Sequence, residues 1–249
     1  MSFIPRLFLA TAPSPEQKEI PLDENASRYL IKVLRLKPGA RFLGFDARAV
    51  EYELILKQTE PLPATASVVS RREGNGASPA VWIALAQSLP KGPKMDLILR
   101  QGTEAGVNRF IPLVTQRSIS RPDSSQLGHK NDRWKKILVE ACRQCGRNDV
   151  PRLDEVTDWK KCLDLFSEFD QVLLPYEKEA PTLKTVLEFN PDARKILVLI
   201  GPEGGWTQDE VREGQERGAA AAHLPTPILR TETAGLAVVS MVRYALSHP

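Results

Sequence analysis

Hydrophobic and polar positions follow two rhythms along this chain, and the rhythm changes near residue 72. Before it, short apolar stretches predict strands at 6–10, 41–46 and 65–70, the last rich in β-branched residues. Another is predicted over Glu51–Gln58, where Tyr52, Leu54 and Leu56 alternate with more polar neighbours. One helix is predicted at 23–36, with Ala26, Tyr29, Leu30, Val33 and Leu34 on one face. Pro38-Gly39 ends it. The polar run Arg71-Arg72-Glu73-Gly74-Asn75-Gly76-Ala77-Ser78-Pro79 is the best domain boundary, dividing the chain into 1–72 and 73–249.

After the boundary, strands alternate with helices. Strands are predicted at 81–86, Arg109–Val114, 171–174, Lys195–Ile200 and 219–224, and helices at 93–105, 132–145, 209–217 and 232–247. This alternation argues for an α/β layer with a largely parallel sheet. In the last helix Ala234, Ala237, Val238, Met241, Val242 and Ala245 hold the core-facing period, and Leu236 and Val239 widen the apolar surface. A helix apolar over so much of its circumference needs cover on more than one side, which a subunit interface would supply.

Composition narrows the class. At 249 residues and 42% hydrophobic, the chain can bury one large α/β core or two unequal ones. The start, Met1-Ser2-Phe3-Ile4-Pro5-Arg6, reads as neither signal nor transit peptide, and no run approaches the roughly 20 apolar residues of a membrane span. A cytoplasmic protein is expected. Cys142 and Cys145 form a C-x-x-C without a second pair, which reads as helix-packing thiols ahead of zinc or redox chemistry. His129, His223 and His248 are scattered, so no metal is expected.

Net charge is only +3, but residues 117–152 hold nine Lys or Arg against four acids, Asp123, Asp132, Glu140 and Asp149. Such an excess is either a phosphate-backbone footprint or a solvated helix face. In the predicted first helix Arg28, Lys32 and Arg35 share one stripe, which suits a small barrel gripping nucleic acid or a plain solvent-facing side.

Two loops carry the candidate chemistry. The first, Gly201-Pro202-Glu203-Gly204-Gly205, follows a buried-type strand and precedes the capping box Thr207-Gln208-Asp209-Glu210. Ligands of open α/β sheets bind at that edge. The loop lacks the Gly-Lys-Ser/Thr ending of a P-loop, and Glu203, Asp209 and Glu210 stand where a phosphate would need positive charge. A sulfonium ligand bearing adenosine meets no such repulsion; a purely structural turn is the competing reading. The second loop, 223–234, leads into the last helix and carries Arg230 and Glu232, either as site residues or as a structural ion pair.

Together these segments resemble the bacterial small-subunit ribosomal RNA uracil-N3 methyltransferases, the RsmE family, over nearly the whole chain. The likeness runs through Pro5-Arg6-Leu7-Phe8, Lys32-Val33-Leu34-Arg35-Leu36-Lys37-Pro38-Gly39, Lys91-Gly92-Pro93-Lys94-Met95 and Glu140-Ala141-Cys142-Arg143-Gln144-Cys145-Gly146-Arg147. Its most specific pieces are Leu199-Ile200-Gly201-Pro202-Glu203-Gly204-Gly205 and Ile228-Leu229-Arg230-Thr231-Glu232-Thr233-Ala234. Departures include Arg28-Tyr29 in place of a histidine pair and Pro225 in place of a glycine.

The resemblance implies an α/β fold of the SPOUT class: a trefoil-knotted methyltransferase domain at 73–249, a PUA-like β-barrel at 1–72, and a homodimer. It implies S-adenosyl-L-methionine held by Leu174, Pro175, Ile200, Gly201, Pro202, Glu203, Gly204, Gly205, Leu224, Pro225, Ile228, Leu229, Thr231, Thr233 and Ala234. Arg6, Arg28, Lys32, Arg35, Lys91, Lys94, Arg117, Arg121, Arg143 and Arg147 are the expected contacts to small-subunit ribosomal RNA, in an assembled particle. Methylating uracil N3 requires losing a proton held at neutral pH, so Arg230 is the expected partner of the developing anion. Glu232 or Glu203 is the candidate base or orienting acceptor. The alternatives are a SPOUT enzyme acting on another ribosomal or transfer RNA position, and an inert RNA-binding module.

Overall fold

The computed structural model describes residues 4–73, 80–121 and 124–246, with backbone alone for 124–126. The glycine-bearing linker 74–79, Asp123, His248 and the last residue of the predicted final helix lie outside the described residues. The chain divides into two compact units: Met1–Gly76 with Cys142–Val150, and Ala77–Ala141 with Pro151–Pro249. Residues 142–150 thus join the first unit, where the sequence pattern puts them in the second.

The first unit is a five-stranded sheet in the order β1-β3-β4-β5-β2. Its strands are β1 (Arg6–Phe8), β2 (Glu19–Pro21), β3 (Arg41–Phe45), β4 (Glu51–Gln58) and β5 (Thr65–Arg72). β1 runs parallel to β3, and the other pairs are antiparallel. The period-two pattern of β4 sends Tyr52, Leu54 and Leu56 into a core with Phe42, Ile20 and Leu30. Arg6 is enclosed: it pairs with Glu51 at 2.8 Å, bonds Asn148, and lies over the Phe45 ring at 5.4 Å.

The predicted helix 23–36 departs from its period. Asp23 caps α1 (Glu24–Arg28) by accepting from the Ala26 N–H at 2.8 Å, and Tyr29–Val33 then widens to a π-helical turn. The Leu34 N–H reaches back to the Tyr29 carbonyl, and the Leu36 N–H to the Leu30 carbonyl, both at 3.0 Å. Arg35 takes a left-handed φ of 54°, the conformation of a helix C-terminal turn. The extra residue in the turn leaves Val33 65% exposed instead of buried. It also places Arg35 past the helix, so Arg28, Lys32 and Arg35 are not one α-helical stripe.

The second unit holds a seven-stranded sheet in which every named pair is parallel. Its order is β12 (Ala219–Ala222), β10 (Gln171–Pro175), β11 (Lys195–Ile200), β6 (Trp82–Ser88), β7 (Arg109–Val114) and β8 (Arg152–Leu153), with β9 (Thr157–Asp158) also on β7. The helices are α2 (Lys94–Glu104), α3 (Ser124–Cys145), α4 (Trp159–Asp164), α5 (Leu183–Phe189), α6 (Gln208–Glu216) and α7 (Thr231–Leu246). This is a mixed α/β fold. None of its described helices is long and apolar enough to cross a membrane.

Parallel strands need cover on both faces, and the sequence supplies it. On one face Leu197 and Leu199 pack with Trp159, Phe166, Trp206 and Val211. On the other, two glycines allow close approach: a Cβ on Gly102 would meet the Phe110 ring at 2.8 Å, and one on Gly235 would meet Leu85 at 3.3 Å. In α7 the buried residues are Thr231, Gly235, Val238, Val239, Val242 and Leu246. Ala245, expected in the core stripe, is exposed, and Val239 takes a core position. The short β2, β8, β9, α4 and α5 have no counterpart in the sequence prediction, and α3 starts at 124 instead of 132.

A left-handed non-glycine residue costs roughly 1–2 kcal/mol. Arg35→Gly is therefore expected to raise the stability of the first unit by about 1 kcal/mol in a denaturant or thermal melt. A loss of stability would show that the Arg35 side chain contributes more than its backbone strain removes.

Candidate active site

The carboxyl ends of β10, β11 and β6 lie along one sheet edge, where the chain leaves at Pro175, Ile200 and Ser88. After Ile200 the glycine-rich turn closes through the Gly205 N–H bonded to the Pro202 carbonyl at 2.9 Å. Gly205 has φ +67° and so favours glycine, and a Cβ on Gly201 would stand 3.2 Å from the Trp206 indole, so that position is tightly packed. Thr207 and Glu210 form the full capping box of α6. Glu210 is 4% exposed and also accepts from the Gln116 N–H at 2.8 Å, so it is committed to structure.

The loop after β12 enters α7 at Thr231, whose side chain is buried. The Thr231 hydroxyl donates to the Gly201 carbonyl at 2.7 Å and accepts from the Gln87 side-chain amide at 2.9 Å. Gln87, at the end of β6, is fully buried. It was missed in the sequence, although a lone amide at the carboxyl end of an apolar strand is itself a signal for this edge.

These loops enclose a cavity of about 510 Å³. Its walls include Pro175, Ile200, Gly201, Pro202, Glu203, Gly204 and Gly205 on one side, and Ile228, Leu229, Arg230, Thr231 and Ala234 on the other. Trp206, Glu177 and Lys94 complete it, the first two unforeseen as site residues. An adjoining hollow of about 140 Å³ adds Leu224, Thr226 and Pro227. Three expected cofactor residues line neither: Leu174 is fully buried in the core, and Pro225 and Thr233 are exposed.

Lys94 organises the charge. Its Nζ stands 3.4 Å from Glu203 and 3.2 Å from Glu232, and the Lys91 N–H also donates to Glu203 at 3.0 Å. Partial burial works to raise the Glu203 pKa, but its own backbone N–H, the Lys91 N–H and Lys94 hold it below the usual carboxylate range. Glu232 is lowered first by its own backbone N–H and then by Lys94 and Arg230, against desolvation. The Lys94 ammonium is raised, chiefly by its bond to Glu232. Two ionised carboxylates sharing one cation are weak proton acceptors and strong orienting acceptors. Arg230 is exposed and makes no side-chain hydrogen bond or ion pair among the described residues.

Other candidate cations are already engaged. Arg117 donates to the Gly204 carbonyl at 2.8 Å and the Trp206 carbonyl at 3.3 Å, bracing the glycine turn. Arg121 donates to the Gln116 carbonyl at 3.1 Å. In the first unit Arg143 lies over Tyr29 at 4.4 Å, Arg147 pairs with Asp149 at 2.6 Å, and Arg28 pairs with Glu24 at 3.2 Å. Lys32 and Arg35 are exposed there. Burial pushes the Cys142 and Cys162 thiols up to about 12, and Cys145 is exposed.

Comparison with known proteins adds three findings. The family model described as RNA methyltransferase domain matches residues 77–243. Ribosomal RNA small subunit methyltransferase E of Bacillus subtilis is 30% identical over 221 residues, covering 87% of this chain and 86% of that protein. The crystal structure of a ribosomal RNA small subunit methyltransferase E from Neisseria gonorrhoeae, bound to S-adenosyl methionine, superposes with a TM-score of 0.86 at 30% identity. It covers 97% of this chain and 98% of that one.

Lys94→Met leaves Glu203 and Glu232 facing each other without their shared cation. Carboxylates with depressed pKa stabilise the fold above the ordinary carboxylate range and lose that contribution as pH falls through their folded values. The melting temperature of Lys94→Met should therefore fall below wild type at neutral pH, and the gap should close below about pH 4. A gap independent of pH would remove the charge clasp from the account.

Proposed function

This chain belongs to the RNA methyltransferase family, and we propose that it methylates N3 of a specific uridine in small-subunit ribosomal RNA with S-adenosyl-L-methionine. The carrying observation is the placement of Arg230, without a side-chain hydrogen bond or ion pair among the described residues and beside the α7 N-terminus, at a cavity walled by the glycine turn. The ribosomal RNA small subunit methyltransferase E relatives supply the substrate class.

The residues present suit the cofactor. Cavities of about 510 and 140 Å³ together fall in the range for small-molecule sites. Ile200, Ile228 and Leu229 offer apolar contact, and the 201–205 backbone offers hydrogen bonds. Trp206 Nε1 and Thr226 Oγ1 are buried without a hydrogen-bond partner among the described residues, as befits walls awaiting a polar ligand. Glu177 and Glu203 favour a cationic ligand over a pyrophosphate. When bound, S-adenosylmethionine supplies an electrophilic methyl group on a sulfonium sulfur.

The protein supplies the rest. Arg230 and the positive end of α7 stabilise the imide anion that forms as N3 loses its proton. Glu203 and Glu232, held ionised by Lys94, orient donors of the ligand and the target base. Of the two roles open to them, the lowered pKa values favour orienting over deprotonation.

The same reading extends to architecture. A SPOUT trefoil knot is supported by the chain path: β12 lies beside β10, and the chain then returns so that Thr231 bonds Gly201 and Gln87. A PUA-like role for the first unit rests on its small mixed sheet. Homodimerisation through α7 is supported by Ala234, Ala237 and Met241, half-covered by their own chain, and by Tyr244, 91% exposed. The reaction then takes place in the cytoplasm on an assembled ribosomal particle.

Arg230→Ala should bind S-adenosylmethionine in calorimetry about as well as wild type, yet lose roughly a hundredfold to a thousandfold in turnover. Unchanged turnover would remove Arg230 from the mechanism. A wild-type chain that fails to bind the cofactor would overturn the reading itself.

A further inference from the structure

Most of the basic segment 117–152 is not absorbed by the active site. Within it Arg117 braces the glycine turn, Arg143 lies over Tyr29 and Arg147 pairs with Asp149. The remaining cations of the second unit gather elsewhere. His129, Arg133, Lys136 and Glu140 are spaced four, three and four residues apart on α3, which puts them on one stripe. That stripe and Arg100 of α2 line a hollow of about 660 Å³.

A second hollow, about 260 Å³, adjoins it, because Arg133 lines both. Its lining sets Lys130, Ser120 and the Arg133–Asp96 pair beside an apolar part made by Leu89, Pro90, Pro93 and the buried Trp134. Residues 90–93 of this lining belong to the loop whose Lys91 N–H holds Glu203 of the active-site cavity, and Lys94 follows directly. A path therefore runs from the cavity, past residues 90–94, to the outer face of α3.

The charge on the path is only partly neutralised. Arg133 pairs with Asp96, and Asp132 and Glu140 also face the larger hollow. Arg100, Lys130 and Lys136 make no ion pair among the described residues. Concave, cation-lined surfaces concentrate the field of their charges and attract polyanions.

Resting on the methyltransferase reading, we propose that this groove carries the phosphate backbone of the RNA strand leading to the target base. Arg100, Lys130, Arg133 and Lys136 are its phosphate contacts. The apolar residues beside Lys130, chiefly Pro90 and Pro93, accept a sugar or base face, as single-stranded RNA requires. RNA strand entry thus runs along α2 and α3, and Arg117, Arg143 and Arg147 serve structure instead.

The test compares wild type with Arg100→Gln/Lys130→Gln/Lys136→Gln by fluorescence anisotropy on a single-stranded fragment of small-subunit ribosomal RNA, across a salt series. Each lost phosphate contact lowers the slope of log affinity against log salt by about 0.7, so the slope should shrink by about 2. Affinity at low salt should fall at least about tenfold. A control with equal charge loss elsewhere, Lys184→Gln/Arg194→Gln/Arg212→Gln, should move the slope far less.

Calorimetry with S-adenosylmethionine should be the same for wild type and the groove variant, which confirms an intact cavity. Equal slopes and affinities for wild type and the groove variant would overturn the groove while leaving the methyltransferase reading standing. So would a change of mass in light scattering, since the face would then be a contact between copies. Wild type that binds neither RNA nor cofactor would overturn both.

Discussion

The Thr231 hydroxyl is the joint on which the site depends. It donates to the Gly201 carbonyl and accepts from the Gln87 amide, and so ties together the ends of β11 and β6 and the start of α7. Thr231 and Gln87 are buried, where an unsatisfied polar group costs about 1–3 kcal/mol, so the three segments have one favourable arrangement. Arg230 and Glu232 flank Thr231 in sequence: Arg230 lines the cavity, and Glu232 meets it through the lining residue Lys94. Arg117 braces the same turn from the other side through the Gly204 and Trp206 carbonyls.

On that joint the charges divide into two groups. Glu203, Lys94 and Glu232 form a closed cluster in which each carboxylate is held ionised. Arg230 is exposed and makes no ion pair or side-chain hydrogen bond among the described residues, and it touches the cluster only through its field on Glu232. In the proposed reaction a cationic methyl donor and a base that becomes anionic need opposite fields, and this division would supply each at one cavity. Lys94, expected as an RNA contact, belongs to the first group because α2 begins at the cavity wall.

The larger elements were legible in the sequence because their periods are strong. Lys195–Ile200 reads as a strand buried on both faces and is the centre of the sheet beside β6. The capping box at Thr207 and Glu210 marked the start of α6. Periodicity failed where geometry departs from it: the π-helical turn at Tyr29–Val33 shifts Val33 outward, and a single extra residue per turn has no sequence signature. Strands as short as β8 and β9 are two residues each, too short for any alternation.

Both loops that wall the cavity could be found from the sequence because glycine and capping chemistry are local. The partners of Arg117, Lys94 and Gln87 could not, since each contact spans more than 80 positions and arises only when the sheet brings strand ends together. Leu174 shows the converse, a strand-end residue beside the site whose side chain points into the core.

Methyl transfer to uracil N3 of small-subunit ribosomal RNA is the activity proposed for this cavity. Mass mapping of modified nucleotides in that RNA, from cells with and without the protein, tests it most directly. One 3-methyluridine should disappear without the protein and return with the wild-type chain. An unchanged 3-methyluridine level in cells lacking the protein would contradict it.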